Sequence, residues 1–339
     1  MVRDAKSQLK IQQGKNRRSR LKREPAKQTI RIKYNMDTYD VYSYGVISSS
    51  TLYLLKDYFP AKSGYAEINK IYKNIGGEAA NTSIVLSRLG LKVKLDGNWI
   101  NPDDDAIFLQ DTLHKNRVNI SRISFRRCQG PKEMLVVGSD SRTIFGTYAQ
   151  LSKEKSWNLP KKKDVQNAKV ICLDPFYGKA SLQVAKYAKI LNKPIVTVDC
   201  KFDDPIFLAS SIAIISEEYL RDTYPRHEIS SLTREYKENS RGTVIFTFGH
   251  KEILYGSREE KYKEYSPYKI SPADTTGAGD SFRAGIICGL LKKWPTGKTI
   301  EFASALAAIV CQSLPGVLNS PSYDKVISFI NHRGLGYAG

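Results

Sequence analysis

The sequence predicts an α/β domain with a mostly parallel central sheet, and three observations support this fold class. Short apolar, β-branched runs recur at residues 170–173, 195–198, 212–215 and 244–248, and helical segments separate them. This alternation is typical of parallel strands joined by helical crossovers. A length of 339 residues with 41% hydrophobic residues is enough for a sizeable core. A glycine-rich turn also opens a helix near the C-terminal end.

The first 35 residues are predicted to form a basic, disordered tail. Twelve Lys or Arg and only two acidic residues lie within residues 1–33, so this segment carries about half of the net charge of +19. Low apolar content and the lack of periodicity indicate disorder. A nucleic-acid or membrane tether and a targeting peptide are alternatives. A solvated tail or a mis-assigned start is favoured, because no aromatic residues are interleaved with the charges.

The next elements in order are a strand, a glycine turn and a helix. Residues 40–48 are apolar and β-branched, which predicts the first strand. The helix that follows Gly76 and Gly77 is expected to end at Gly90. Paired glycines let the backbone approach a ligand closely, and Asn81 offers a donor and an acceptor to a vicinal diol. Alternatively, Asn81 satisfies backbone groups within the turn.

A second strand at 92–99, a helix capped near Asp103 and a hairpin are predicted next. The hairpin strands, at 134–137 and 142–147, flank the turn sequence Gly-Ser-Asp-Ser. Arg142 on the second hairpin strand would reach an anionic or polyhydroxylated substrate, or it is simply an exposed hairpin arginine.

Strands and helices then alternate, with one helix predicted at 180–191. Acidic residues, among them Glu217 and Glu218, lie near the C-terminal ends of these strands. Parallel sheets of this kind bind their ligands beyond that edge. Residues 300–314 are apolar on nearly every face, which predicts a buried helix.

The glycine-rich turn spans residues 274–282, DTTGAGDSF. An apolar stripe at every fourth position predicts the helix after it: Phe282, Ile286, Leu290 and Trp294. The glycines therefore sit at a helix N-terminus, where unpaired N–H groups and the helix dipole favour an anion such as phosphate.

Asp280 is the unusual member of this turn, because a carboxylate repels a bound phosphate. Proton abstraction from a hydroxyl that attacks the phosphate would explain its presence. The alternative is an ordinary acidic residue in the first turn of a helix. On motif spacing alone, both interpretations stand.

Residues 274–282 resemble the C-terminal signature of the ribokinase (PfkB) family of carbohydrate and nucleoside kinases. The sequence GGEAAN at 76–81, followed by Leu89 and Gly90, is similar to the N-terminal signature of that family. The resemblance covers roughly residues 40–330. It implies a ribokinase-like three-layer α/β/α kinase domain at 36–333, followed by a short C-terminal tail. The implied small β-sheet lid comes from about 49–75 and 131–150.

The resemblance also implies a reaction. An enzyme of this family would move the γ-phosphate of ATP to a hydroxyl of a small sugar. Asp280 would be the general base, and the backbone amides of Gly277, Ala278, Gly279 and Asp280 would form an anion hole. Mg²⁺ would bridge the phosphates.

Nucleotide and cation positions follow from the same resemblance. Thr247 and Gly249, together with Thr276 and Gly279, are similar to residues that border the nucleotide. Asp274 is similar to a family site for a monovalent cation, so K⁺ is a further expected cofactor. Glu217 and Glu218 are the candidates for handling Mg²⁺, although they are displaced from the family motif, whose matching positions are Ser216 and Tyr219.

One position departs clearly from the family. An Asp that binds substrate hydroxyls usually stands five residues beyond a glycine at the end of the first strand. Counting from Gly45 places Ser50 there. A hydroxyl can hydrogen-bond a sugar, but it lacks the charge of a carboxylate. We therefore expect substrate contacts from Ser50, Gly76, Gly77, Asn81 and Arg142, without predicting which sugar.

Two other functions remain open. A nucleoside kinase shares both signatures, and the tyrosine-rich segment 52–72 would supply a slot for the base. A non-catalytic ligand-binding homologue is favoured by Ser50, by the altered 216–219 region and by Glu252, which stands where the family has a glycine after the run that borders the nucleotide. The intact Asp280 argues against it.

The remaining composition indicates a cytoplasmic protein. Five cysteines contain no CxxC pair, which is typical of a reduced compartment. The four histidines show no metal-ligand spacing, so we predict no zinc site. No membrane span is predicted, and nucleic acid is not an expected partner except through residues 1–35. A homodimer is expected from the family resemblance.

Overall fold

The computed structural model describes residues 38–139 and 141–334. The predicted basic tail and residues 335–339 lie outside these ranges. The described strands are β1 (Tyr39–Gly45), β2 (Ser48–Leu55), β3 (Ile68–Gly76), β4 (Val93–Gly97), β5 (Lys132–Val137), β6 (Arg142–Gly146), β7 (Ala168–Leu173), β8 (Ile195–Val198), β9 (Ile212–Ser216), β10 (Thr243–Thr247), β11 (Ile253–Gly256) and β12 (Lys263–Tyr265).

The described helices follow the predicted alternation with the strands. They are α1 (Glu78–Arg88), α2 (Asp104–Lys115), α3 (Ala149–Glu154), α4 (Lys162–Gln166), α5 (Lys179–Ile190), α6 (Pro205–Ala209), α7 (Glu217–Thr223), α8 (Ile229–Asn239), α9 (Ala278–Leu291), α10 (Thr296–Cys311) and α11 (Tyr323–Gly334). The helix predicted at 300–314 thus begins and ends earlier, as α10.

The large sheet has the strand order β12-β11-β10-β9-β8-β7-β1-β4. All pairs from β4 to β10 are parallel, and β11 and β12 extend the sheet by antiparallel pairing. Helices cover both faces, as β1 shows: Val41 packs into a core with residues of α1, α9 and α10, whereas Tyr42 packs with α5. The predicted three-layer α/β/α fold class is confirmed.

A small sheet of four strands, in the order β3-β2-β5-β6, accompanies the large one. β2 pairs antiparallel with β3 and parallel with β5, and β5 forms the predicted hairpin with β6. Leu52, Leu135 and Val137 form its apolar core. The strands come from the two segments in which the sequence predicted a lid.

The predicted first strand at 40–48 is wrong at its end. β1 stops at Gly45, and Val46 and Ile47 carry the chain into β2 of the small sheet. The apolar run continues through both residues, so hydrophobicity did not reveal the break. Ser50 consequently lies on the small sheet and not at the end of the first strand.

Helix α9 is fixed closely against α10. At Gly285, an added Cβ would lie 2.4 Å from the Cα of Ala303, so the two helix backbones touch. Phe282 and Ile286 of the predicted apolar stripe are buried in the same core. The N-terminus of α9 is therefore held in a defined place. No helix in the described part of the chain combines the length and apolar character that crossing a membrane requires.

Candidate active site

A cleft of about 490 Å³ is lined by the starts of α1 and α9 and by the small sheet. Gly77 and Asn81 come from the first glycine turn, and Gly279 and Asp280 from the second. Arg142 of β6 also lines the cleft. The two glycine turns, about 200 residues apart in the sequence, thus meet at one cavity.

The glycine turn before α9 adopts a conformation that requires glycine. Gly277 is the N-cap of α9 with φ of 76°, in the left-handed region. The Ala278 N–H donates to the Thr275 carbonyl at 3.2 Å, so this predicted anion-hole amide is already bonded. Within the described ranges, no acceptor pairs with the amides of Gly279 and Asp280. These two amides are free to bind an anion.

Asp280 is joined directly to Asn81. The Asn81 Nδ2 group donates to Asp280 Oδ2 at 2.9 Å, and the Thr82 hydroxyl donates to the Asp280 carbonyl at 3.3 Å. Desolvation raises the pKa of Asp280 to about 6, while Arg283 and the Asn81 hydrogen bond oppose the rise. At neutral pH the carboxylate is therefore mostly ionised and can accept a proton. Asn81 therefore binds a side chain of the second glycine turn and does not only satisfy groups within its own turn.

Arg142 connects the small sheet to the second glycine turn. Its Nη1 donates to Thr276 Oγ1 at 3.3 Å, and its charge favours the ionised form of Asp280. The alternative interpretation of Arg142 as simply an exposed hairpin residue is therefore wrong.

Asp274 is buried behind the turn. Its Oδ1 accepts hydrogen bonds from the Thr276 N–H at 2.9 Å and the Thr276 hydroxyl at 2.7 Å. Its Oδ2 is buried and has no partner among the described residues. An unpaired buried carboxylate oxygen is costly, and a bound cation would remove that cost.

The other predicted nucleotide and metal residues lie elsewhere. Thr247 is the last residue of β10 and Gly249 follows that strand, whereas Glu217 and Glu218 begin α7 after β9. All four lie at the C-terminal edge of the large sheet, but none lines the cleft around Asp280. Glu217 pairs with Lys251 at 3.0 Å. No group of three or more His, Cys, Asp or Glu within 38–139 and 141–334 is arranged to hold a metal ion.

Sequence reasoning missed Glu133, a cleft residue on β5. It accepts a hydrogen bond from the Gly77 N–H at 3.2 Å, and its carboxylate lies against the Cα of Gly76. Ser50 is buried beside it on β2. One signal could have revealed it: Glu133 shares the two-residue period of Leu135 and Val137, which places it on the covered face of the strand.

An aromatic wall of the cleft was also missed. Tyr148, Phe176 and Tyr177 line it, and Tyr177 is fixed by stacking on Trp157 with ring centroids 5.0 Å apart. Phe176 remains 42% exposed, which leaves its ring available to a ligand.

Gly277→Ala should destabilise the fold. The left-handed conformation costs an alanine about 1–2 kcal/mol, and the new Cβ would lie 2.2 Å from Val317 Cγ2. We expect urea denaturation to show a loss of at least about 1 kcal/mol. Gly279→Ala is the matched control, because a Cβ there meets no atom within 4 Å. Equal stability of the two variants would contradict this view of the turn.

A model of the pfkB family carbohydrate kinase matches residues 41–321. The chain is 24% identical over 285 residues to a nucleoside kinase of Methanocaldococcus jannaschii, covering 81% of this chain and 92% of the relative. It is 40% identical over 313 residues to an uncharacterized sugar kinase of Dictyostelium discoideum, covering 76% and 87%.

The fold is also similar to a solved structure of Arabidopsis thaliana ribokinase complexed with ribose and ATP. The TM-score is 0.72 at 18% sequence identity, over 86% of this chain and 99% of the other. This similarity confirms the ribokinase-like architecture.

Proposed function

Because this chain belongs to the pfkB family of carbohydrate kinases, we propose that it transfers the γ-phosphate of ATP to a hydroxyl of a small sugar, with Asp280 as general base. The 2.9 Å contact between Asn81 and Asp280 carries the proposal. It positions a carboxylate with a raised pKa beside two backbone amides that are free to bind an anion.

In the proposed reaction, the oxygen of the acceptor hydroxyl bonds to the γ-phosphorus while Asp280 takes the proton of that hydroxyl. The bond from that phosphorus to the bridging oxygen breaks, and ADP leaves with the electron pair. The Gly279 and Asp280 amides stabilise charge on the transferred group, together with the positive end of the α9 dipole. Arg142 lies close enough to Thr276 to add a positive charge at the same place.

ATP would extend from this turn along the C-terminal edge of the large sheet, past Thr247 and Gly249. Mg²⁺ bound with ATP would neutralise phosphate charge. Glu218 is the better candidate near it, because Glu217 already forms an ion pair with Lys251. K⁺ fits Asp274, whose buried Oδ2 has no partner among the described residues.

The direct test is ADP formation with a panel of sugars and nucleosides, followed by mass spectrometry of the products. We expect ATP-dependent phosphorylation of one or a few acceptors. Tight binding of an acceptor without ADP formation across the whole panel would instead support the non-catalytic homologue.

A nucleoside kinase is the second candidate, and the aromatic wall favours it. The tyrosine-rich segment 52–72 does not line the cleft, and its Tyr58 and Tyr65 are exposed. The exposed ring of Phe176 offers an apolar face against which a nucleobase would stack, and Tyr148 lines the same cleft.

Phe176→Ala separates the two candidates. Stacking on an aromatic ring is worth about 1–3 kcal/mol per base, so KM for a nucleoside should rise about 5- to 150-fold. KM for a sugar should change little. Phe125→Ala is a control of similar exposure, at 38%, outside the cleft. An unchanged nucleoside KM in Phe176→Ala would remove the stacking role.

A further inference from the structure

Besides Asp280, the carboxylates of Glu78 and Glu133 line the cleft, and the proposed chemistry uses neither. Glu133 lies on β5, directly opposite Ser50 in the parallel pairing with β2. The burial pattern of the two strands alternates, so both residues belong to the covered face of the small sheet. Adjacent strands lie about 4.8 Å apart, which places the Glu133 side chain beside the position where an acidic residue at 50 would stand.

Glu133 is held firmly without a cation. The Gly77 N–H and the Tyr148 hydroxyl both donate to its Oε1. No Lys or Arg in the described part of the chain forms an ion pair with it. A partly desolvated carboxylate without a counter-charge destabilises a fold. A purely structural role therefore explains Glu133 poorly.

The charged groups around Glu133 come from three other elements. Asp280 of α9 repels it, and Glu78 of α1 and Arg142 of β6 line the same cleft. Burial, followed by the Asp280 charge, raises the pKa of Glu133 to about 7. A neutral, hydroxyl-rich ligand would supply hydrogen-bond donors to this carboxylate without adding negative charge.

We propose that Glu133 determines substrate specificity by accepting hydrogen bonds from substrate hydroxyls, in place of the acidic side chain that is absent at Ser50. This inference depends on the proposed phosphotransfer to a polyhydroxylated acceptor. Gly77 and Tyr148 position the carboxylate through Oε1, at the wall of the cleft. Glu133 on β5 then binds the hydroxyls of the acceptor that do not react, and the reacting hydroxyl faces Asp280 on α9.

Kinetics of Glu133→Gln and Glu133→Ala test this role. A hydrogen bond to a charged group is strong, so KM for the acceptor should rise about 10-fold in Glu133→Gln and up to about 100-fold in Glu133→Ala. KM for ATP should not change. Glu264→Gln is the control, because Glu264 is exposed on β12. Unchanged acceptor KM in both Glu133 variants would overturn the inference.

A swap variant separates recognition from folding. Ser50→Asp combined with Glu133→Ala returns a carboxylate to the neighbouring strand, and we expect kcat/KM to recover at least 10-fold over Glu133→Ala alone. Ser50→Asp alone places two carboxylates side by side and should lower activity. Failure of the double variant to recover, with ATP and acceptor KM rising together, would show a structural role and reject the proposal.

The pH dependence gives a second readout. Both carboxylates must be ionised, with pKa values raised to about 7 at Glu133 and about 6 at Asp280. For the wild type, kcat/KM should begin to fall below about pH 7 and approach a slope of two below about pH 6. In Glu133→Gln, kcat/KM should keep only the fall near pH 6, which comes from Asp280. An identical profile in the variant would contradict the inference, whereas no phosphorylation by the wild type would contradict the proposed function itself.

Discussion

Asp280→Asn is expected to lower kcat by about 10²- to 10⁴-fold, the usual contribution of a general base. The amide has nearly the same shape but cannot take the proton of the acceptor hydroxyl. ATP affinity should change little, since the amides of the glycine turn do not depend on the side chain. Single-turnover kinetics would measure the chemical step, and equilibrium titration would measure ATP binding.

Asp324→Asn is the matched control, because Asp324 is also an acidic residue in the first turn of a helix. If the sole role of Asp280 were to complement the helix dipole, both variants would lose a comparable, small amount of stability and retain turnover. Retention of more than a tenth of kcat by Asp280→Asn would reject the assignment of the base. A parallel loss of ATP binding would indicate a structural defect instead.

Arg283→Met should lower the free energy of unfolding by about 3–5 kcal/mol. Arg283 Nη1 lies 2.6 Å from Asp174 Oδ1, and both side chains are fully buried. Removing the arginine leaves an uncompensated carboxylate in the core. Asp174 Oδ2 also accepts the Val46 N–H at 2.8 Å, so this carboxylate cannot easily turn away.

Lys169→Met is the control for that measurement. Lys169 pairs with Asp40 at 2.8 Å, but its side chain is 68% exposed, so the loss should be under about 1 kcal/mol. Arg283 also favours the ionised form of Asp280. Its removal should therefore raise the pKa of Asp280 and shift the acid limb of activity to higher pH. Similar urea midpoints for the two variants would contradict the importance of the buried pair.

The parallel strands were the most predictable part of the fold. β8 has the bounds predicted from its apolar run, because strands buried on both faces are continuously hydrophobic. β11 and β12 were missed, since they are only four and three residues long. The passage from β1 to β2 was missed because its two residues are as apolar as the strand before them.

The candidate site also has a part that the sequence predicted and a part that it did not. The local spacing of the glycine turns predicted Gly277, Asp280 and Asn81, and the structure places them together. Glu133 and Phe176 enter the cleft because distant segments are brought side by side. The two-residue period of β5 indicates that Glu133 is on the covered face, but it does not indicate which segments lie next to it. The parallel pairing of β5 with β2 decides which side chain lies beside Ser50.

The backbone contact between Gly285 and Ala303 has a consequence for engineering. It anchors α9, and with it Asp280, in the core that packs on the large sheet. Glu133 and Arg142 instead belong to β5 and β6 of a separate sheet with its own small core. Substitutions in β5 can therefore alter the accepted ligand without moving α9, whereas Arg142 of β6 also adds charge at the glycine turn. Engineering a new acceptor preference should begin with β5 and leave Arg142 and the α9–α10 pair unchanged.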